Sequence, residues 1–504
     1  MAVKSMRKAT TTDGMVIEYR DEIIGSGAVK DVYFATDDVH AVAFFREPLD
    51  VAAMERLKMI TGRYRERIFD QEAGGEYWKR LFCWPRKILH DENDRVGILA
   101  PRYEKHFFFK HGSVNNDTLL NIKGREKEGK WFASPTNRNR FLAEEERGDW
   151  LDYLRICILI ARAVKRLHAA GLAHSDLSYK NVLVDPTGGN ACIIDIDGLV
   201  VPGKFPPDVI GTPDFIAPEV VRTAHLDKGD PKRCLPCIDT DRHALAVLIY
   251  MYLLLRHPLR GGKVHDPNDC QKDEDLSMGE KALYVEHPLD RANRIRRDDL
   301  KPEEEFWSNT DGLPYTVAGP YLSKLFERAF MDGLHSPDKR PTADEWEQAL
   351  VKTVDLIQPC QNKGCAQQWY VFDNTKSPKC PFCATPFKGQ LPILNLYSTR
   401  HGGKYLPDNH RLMVYTGQSL FPWHINRLIV PNERLTSEQK KRVGYFSFHK
   451  GKWLLVNERL NGMFNASTKK EVPVGSAVEL TEGLQLLFSR EHGGRLAVVQ
   501  VVAA

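Results

Sequence analysis

Ala173-His174-Ser175-Asp176-Leu177-Ser178-Tyr179-Lys180-Asn181-Val182-Leu183-Val184 is the stretch on which the reading of this chain turns. A polar loop carries a carboxylate at Asp176 and an amide at Asn181, five residues on, and runs directly into the apolar run that ends at Asp185. Before it, Leu151, Leu154, Ile158, Ala161, Val164 and Leu167 recur at three- and four-residue spacing, which predicts a long amphipathic helix from Trp150 to Ala170. A carboxylate so placed can orient a hydroxyl and accept its proton, and a nearby amide oxygen can ligate a hard cation. Taken alone, the segment also reads as a polar loop leading into a strand.

Other segments extend the pattern. Fourteen residues beyond Asn181, the strand Ile193-Ile194 ends on Asp195-Ile196-Asp197-Gly198, two acidic groups of the kind Mg²⁺ favours, or an Asp-rich turn without metal. Upstream, Ile24-Gly25-Ser26-Gly27-Ala28-Val29-Lys30-Asp31-Val32-Tyr33 sets two glycines between strand candidates, where backbone amides can approach phosphate oxygens or simply close a hairpin. Downstream come Gly211-Thr212-Pro213, Ala217-Pro218-Glu219, Asp241 at the head of an apolar helix, and Arg340.

In this order and spacing the segments resemble the protein kinases, over about residues 15–357. The resemblance implies an α+β, bilobal fold, with an N-lobe over 1–104 and a C-lobe over 105–357 that carries insertions at 121–148 and 261–316, the first polar enough to be mobile. It implies ATP and Mg²⁺ as cofactors and a Ser/Thr hydroxyl of a protein substrate as acceptor. Asp176 becomes the base, Asn181 and Asp195 the metal ligands, and Asp197 an auxiliary or alternative one. Gly25, Ser26 and Gly27 would cover the phosphates, while Val32 and Ala41 would line the adenine pocket. Arg340 matches the buried arginine that pairs with Glu219, and Asp241 the residue that anchors the catalytic loop from below.

The pattern breaks at one strand. Kinases of this fold hold the α- and β-phosphates with a lysine in Ala-x-Lys, paired with a helix glutamate. Side chains alternate along a strand, so Ala41 shares its face with Ala43, and Arg46 has the opposite parity. The chain is therefore either a pseudokinase or a kinase disabled by Lys→Ala at position 43; the second is favoured because Asp176, Asn181 and Asp195 all remain. Glu72 and Glu76 are the candidate partner glutamates. Ser175 stands where many kinases have a phosphate-binding arginine, and Leu199 to Gly211 contains Pro202, Pro206 and Pro207 but no Ser, Thr or Tyr. Phosphorylation of this loop is not expected to switch activity; docking of a partner is.

Bulk properties set the frame. At 504 residues the chain needs more than one domain, with 42% apolar and 27% charged residues in mixed order. A net charge of +4, without a basic run interleaved with aromatics, argues against nucleic acid. The first residues lack the apolar stretch of a secretory signal, and Ala244 to Leu255, twelve residues, is too short to span a bilayer. Cys83, Cys157 and Cys192 lie in apolar stretches, as in a reducing compartment, so the cytoplasm is expected and no membrane.

Past Pro359 the texture changes. Cys360, Cys365, Cys380 and Cys383 form two short knuckles that predict a structural zinc ribbon over 358–390. Alternating runs over 391–504 predict an all-β sandwich, and Gly417-Gln418-Ser419-Leu420 with the segments around Trp453 and Val478 resembles a forkhead-associated domain. Gln418 stands where such domains have a phosphothreonine-binding arginine, so a plain docking domain is an equal reading. Kinase, ribbon and sandwich in this order, with Met278 to Arg294, resemble the bacterial kinases that accompany a von Willebrand factor A protein and a PP2C-type phosphatase in tellurite-resistance-associated triads. The alternative is a pseudokinase scaffold, or a docking protein acting through its C-terminal β-domain.

Overall fold

Seven antiparallel strands open the chain: β1 (Met6–Thr11), β2 (Val16–Arg20), β3 (Gly25–Ser26), β4 (Lys30–Phe34), β5 (His40–Phe45), β6 (Lys87–Asp91) and β7 (Val96–Pro101). They lie in the order β2-β1-β6-β7-β5-β4-β3. The computed structural model describes the chain apart from residues 1–4, 27–28, 71–73, 115–120, 202–203, 205–210, 228, 297–299, 373–374, 376, 402–403 and 504. Alternation splits the apolar side chains into two layers. Ala9, Tyr19, Tyr33, Val42, Phe44, Leu89 and Leu99 pack on one face. Ala43, Phe45, Ile88 and Ile98 pack on the other, against Leu57 of α1 (Val51–Met59). Asp50 starts that helix by accepting the amide of Ala53. Gly97 is required on β7, since a Cβ there would meet the Phe44 ring at 2.6 Å.

The predicted long helix is α2 (Trp150–Ala169), followed by the antiparallel hairpin β8 (Val182–Asp185) and β9 (Asn190–Ile193). The apolar run forms most of α3 (Ile238–Leu254) and ends on its C-cap Leu255; the helix is buried from Thr240 onward except at Arg242, as a core helix must be. Among the described residues no helix is long and apolar enough to cross a membrane.

Residues 121–148 are not the mobile insertion their polarity predicts. Trp131, Phe132, Phe141 and Leu142 are buried, and Lys127, itself buried, pairs with Asp185 at 2.8 Å and Glu146 at 3.2 Å. Lys127 and Glu146 are matched internally, while Lys123, Arg125, Arg140, Glu144 and Glu145 stay at the surface. Residues 261–316 likewise bury Met278, Tyr284 and Trp307.

The chain forms two compact units: Met1–Gly148, Arg155–Asp311 and Leu325–Glu347 in the first, and Asp149–Leu154, Gly312–Lys324 and Gln348–Ala504 in the second. Ribbon and sandwich thus belong to one unit, which also takes in the C-terminal end of α4 (Ala343–Asp355). In it, β10 (Ile357–Pro359) pairs with β11 (Trp369–Val371) beside the cysteines. Then follow β12 (Gln390–His401), β13 (Lys404–Met413), β14 (Ser419–Leu420), α5 (Pro422–Ile425), β15 (Gly444–His449), β16 (Lys452–Asn457), β17 (Phe464–Asn465), β18 (Lys470–Glu471), β19 (Ala477–Glu479), β20 (Gln485–Leu487) and β21 (Arg495–Ala503). They form sheets ordered β13-β12-β21-β20-β17-β18 and β14-β15-β16-β19. Leu394, Leu412 and Val499 of one sheet share a core with Leu420, Phe446 and Leu455 of the other, which makes this region the expected sandwich.

Candidate functional site

The loop between α2 and β8 is held by its backbone. Asp241, buried in the first turn of α3, accepts the amides of His174 at 2.7 Å and Ser175 at 3.1 Å, and contacts His168 Nε2 at 3.2 Å. His174 Nε2 donates to the Ile194 carbonyl at 2.9 Å and so ties the loop to the segment leaving β9. Ser175 (φ 66°) and Asp195 (φ 59°) both sit in the left-handed region, a strain of roughly 1–3 kcal/mol each that clusters at functional sites.

With its backbone fixed, the loop presents Asp176. One carboxylate oxygen, Oδ1, accepts the Thr212 amide at 2.7 Å and the Thr212 hydroxyl at 2.8 Å; Oδ2 accepts Asn181 Nδ2 at 2.9 Å. Asn181 Nδ2 also donates to the Asp176 carbonyl at 2.8 Å, which fixes the amide flip and leaves its oxygen for a cation. Glu219 and Arg340, brought together as expected, clamp the segment that carries Thr212 through contacts of 2.7 and 2.8 Å.

Asp195 and Asp197 converge on a cation that the motif reading did not assign. Lys30 Nζ donates to Asp195 Oδ1 at 3.1 Å and to both Asp197 oxygens at 2.6 Å, and lies 5.6 Å from the centre of the Phe45 ring. Burial acts to lower the Lys30 pKa, but Asp197 and Asp195 outweigh it and hold the ammonium protonated. Conversely, burial would raise the Asp195 carboxyl, and Lys30 and His174 keep it below its ordinary range. The signal was present: Lys30 precedes Val32 by two residues, so strand alternation puts both on one face, the one that packs with Ala43.

Several predicted positions are arranged differently. The Ser26 hydroxyl donates to Asp31 at 2.9 Å and is shared with Arg46, which pairs with Asp31 at 2.8 Å and is more than two-fifths exposed. The Ser26 hydroxyl is thus engaged by Asp31 and Arg46. Gly25 remains beside Val32; Gly27 and Glu72 lie outside the described residues. Ala41 faces Phe34 and Ala100 across the sheet. Glu76 is three-quarters exposed and pairs with Lys79, so it is no partner for a cleft lysine. The α1 side chains that reach the cleft are Ala53, Arg56 and Leu57, so the helix offers a second cation there.

The cleft itself is about 140 Å³ and brings together Lys30, Phe45, Arg56, Asp176, Asp195 and Asp197. A larger cavity of about 640 Å³ in the β-unit, lined by Ile425, Leu460 and Phe488 together with Asn426, Asn461, Glu471 and Glu491, gathers none of the catalytic-loop or metal-ligand residues singled out in the sequence. We place the chemistry in the smaller one on that ground.

In the second unit the four predicted cysteine sulfurs all lie within 4.8 Å of one another. Cys360 and Cys383 are 3.5 Å apart, Cys365 and Cys380 3.9 Å. A tetrahedron of thiolates with metal bonds of about 2.3 Å has edges of roughly 3.8 Å, so the donor set and its spacing fit one zinc ion.

Residues 129–348 match the protein kinase domain family. The serine/threonine-protein kinase PknD of Chlamydia abortus is 28% identical over 284 residues, 51% of this chain and 26% of that protein. The serine/threonine-protein kinase PkaB of Streptomyces coelicolor is 32% identical over 114 residues, 20% of this chain and 25% of that protein. This chain thus spans about a quarter of the length of each of these relatives. A crystal structure of a rhoptry kinase from Toxoplasma gondii aligns with 70% of this chain and 85% of its own, at 13% identity and a TM-score of 0.39. The α+β fold of the first unit is a protein-kinase fold, followed by an all-β region with its cysteine cluster.

Proposed function

We propose that the chain is a Ser/Thr protein kinase that transfers the γ-phosphoryl group of ATP to a protein hydroxyl. One observation carries this: Asp176, fixed by Thr212 and Asn181, shares a cleft with Asp195 and Asp197 on a loop anchored by Asp241. Asp176 Oδ1 is already doubly engaged, so Oδ2 is the oxygen that orients the acceptor hydroxyl and takes its proton. Asn181 Oδ1, Asp195 and Asp197 would hold Mg²⁺, which bridges phosphate oxygens and neutralises their charge. The αL backbone at Asp195 turns that carboxylate into the cleft. Radiolabelled phosphate transfer to a mixed protein substrate tests the reading: transfer that Asp176→Asn abolishes supports it, and none from the unaltered chain overturns it.

A silent copy or scaffold is the second reading, and Ala43 is the observation that favours it, since no cation stands at that strand position. In that case the β-unit would act by docking. Gln418 favours docking without phosphate recognition, because its side-chain oxygen accepts the neighbouring Ser419 amide.

The finer context is a bacterial stress or tellurite-resistance phosphorylation system in the cytoplasm, with a von Willebrand factor A protein and a PP2C-type phosphatase as partners. The order of kinase domain, cysteine cluster and sandwich supports it. Zinc at the four cysteines would be structural, because four thiolates leave no open coordination position. Co-purification of the chain with tagged partners from its own genomic neighbourhood tests the assignment.

A further inference from the structure

The lysine missing from β5 has a geometric replacement. In the β4–β5 ladder Val32 faces Ala43, and Lys30 faces Phe45. Residues two apart on a strand share a face, so Lys30 projects on the same side of the sheet as Ala43, displaced by one diagonal step of roughly 7 Å or less. A lysine side chain spans that step. Its ammonium reaches the two aspartates that end the β9 segment, with only 17% of the side chain exposed. Asp197 is buried as well, and the ammonium that both carboxylates contact offsets their mutual repulsion.

The surroundings of Ala43 point the same way. It is packed with Leu57, Ile88 and Ile98 in an apolar setting. Arg56, not a glutamate, lines the cleft from α1. A lysine at 43 would add a third cation beside Lys30 and Arg56.

We propose that Lys30, carried on β4 beside the glycine turn, is the nucleotide-phosphate-binding cation of this chain and takes over from the lysine that β5 lacks. The proposal rests on the kinase reading and deepens it. Ala43 is then a native feature of an active site whose cation comes from the neighbouring strand. On nucleotide binding the ammonium keeps its place next to Asp195 and donates to the phosphate oxygens, a charge-assisted contact that also fixes their position for in-line transfer.

The test uses the full chain and two independent readouts. An acyl phosphate of ATP transfers its acyl group to a lysine amine near the bound phosphates and releases ATP; peptide mass spectrometry then locates the label. Labelling at Lys30, blocked by excess ATP·Mg²⁺, is expected, and labelling at other lysines with none at Lys30 overturns the proposal. Separately, ATP·Mg²⁺ affinity and phosphate transfer are measured for Lys30→Ala, Ala43→Lys, the double variant and Arg46→Ala. Lys30→Ala is expected to weaken ATP binding by about 10- to 100-fold, as loss of a hydrogen bond to a charged group does. Ala43→Lys alone brings no gain, and Arg46→Ala leaves both quantities unchanged. If the unaltered chain binds and transfers but Lys30→Ala does so equally well, the proposal fails and the kinase reading stands. If the unaltered chain binds no ATP, both fall. Should Lys30→Ala not fold, the labelling experiment decides by itself.

Discussion

Arg340 grips Glu219 with both terminal guanidinium nitrogens, at 2.8 and 2.7 Å, across 121 residues of sequence. The same guanidinium donates to the carbonyls of Gly333, Leu334 and Asp239, so a single side chain satisfies three chain segments at once. Arg340 is almost fully buried and Glu219 only 14% exposed, so removing one partner leaves the other charge uncompensated. Arg340→Ala is therefore expected to cost the first unit about 3–5 kcal/mol, and Arg340→Lys to recover little, since a lysine cannot form the fork. Urea denaturation of the full chain, followed by a probe in the first unit, checks this; an unchanged midpoint would refute it.

Asp176→Asn replaces an acceptor by an amide nearly identical in size. Oδ1 can still receive Thr212, but the new NH₂ group faces Asn181 Nδ2, donor against donor. Phosphate transfer should fall by at least about 10²-fold while ATP affinity changes little, because the lost group acts on the acceptor hydroxyl. Single-turnover transfer and equilibrium ATP binding separate the two effects.

Much of this site could be read in the sequence because its parts are short and their offsets are fixed by local geometry. Asp176 and Asn181 meet within one loop, and Asp195 follows one hairpin later, so residue counting places them. Asp241 and Arg340 were legible only through their match to the kinase motifs, because the groups they hold lie 66 and 121 residues away. Lys30 was missed because motif matching assigns a role to a strand position, whereas the cleft requires only that an ammonium arrive on the right face from either of two adjacent strands. The burial of residues 121–148 was hidden because pairing such as that of Lys127 with Asp185 joins residues far apart in sequence. Glu76 failed as a partner through its exposure, which helix periodicity alone does not reveal.

Zinc should accompany the purified chain at about one equivalent, and Cys360→Ser or Cys380→Ser should lower that content. Cys365 and Cys380 are buried with Tyr370, so loss of the metal is expected to loosen the second unit. ATP binding should persist, because none of these residues belongs to the first unit. Elemental analysis together with ATP titration before and after chelation checks both halves; a metal-free chain of unchanged stability would contradict the assignment.

Stability of the second unit should decline as pH falls from 7 to 5. Asp355, at the end of α4, accepts from His410 Nε2 at 2.7 Å and His424 Nε2 at 3.2 Å, and His424 Nδ1 in turn accepts the Phe421 amide. Burial, aided by Arg495 and His424, depresses the His410 pKa despite Asp355. A depressed histidine is neutral when folded and takes up its proton more readily when unfolded, so stability is lost as pH drops below the ordinary histidine value of about 6.5. Burial would raise Asp355, but His424 and His410 hold it well below the carboxylate range, which adds a second loss below about pH 4. Calorimetric melting of the full chain against pH should show the β-unit transition moving down, and His410→Asn should flatten the upper part of that dependence.

Thr212 is expected to act as a positioning residue for Asp176 and not as a phosphorylation switch. Its amide and hydroxyl converge on one carboxylate oxygen, and Leu199 to Gly211 supplies no Ser, Thr or Tyr to carry a regulatory phosphate. Thr212→Val keeps the amide contact and loses the hydroxyl, so transfer should fall by about 10-fold, the scale of one hydrogen bond to a charged group, with ATP affinity unaltered. Thr212→Ser restores the donor and should restore the rate. Thr212→Asp sets a second carboxylate against Asp176 and should be close to inactive through like-charge repulsion. Treating the unaltered chain with a broad phosphatase should then leave the initial rate where it was; a large loss traced to a phosphate between Asp195 and Glu219 would mean that the segment is switched by phosphorylation after all.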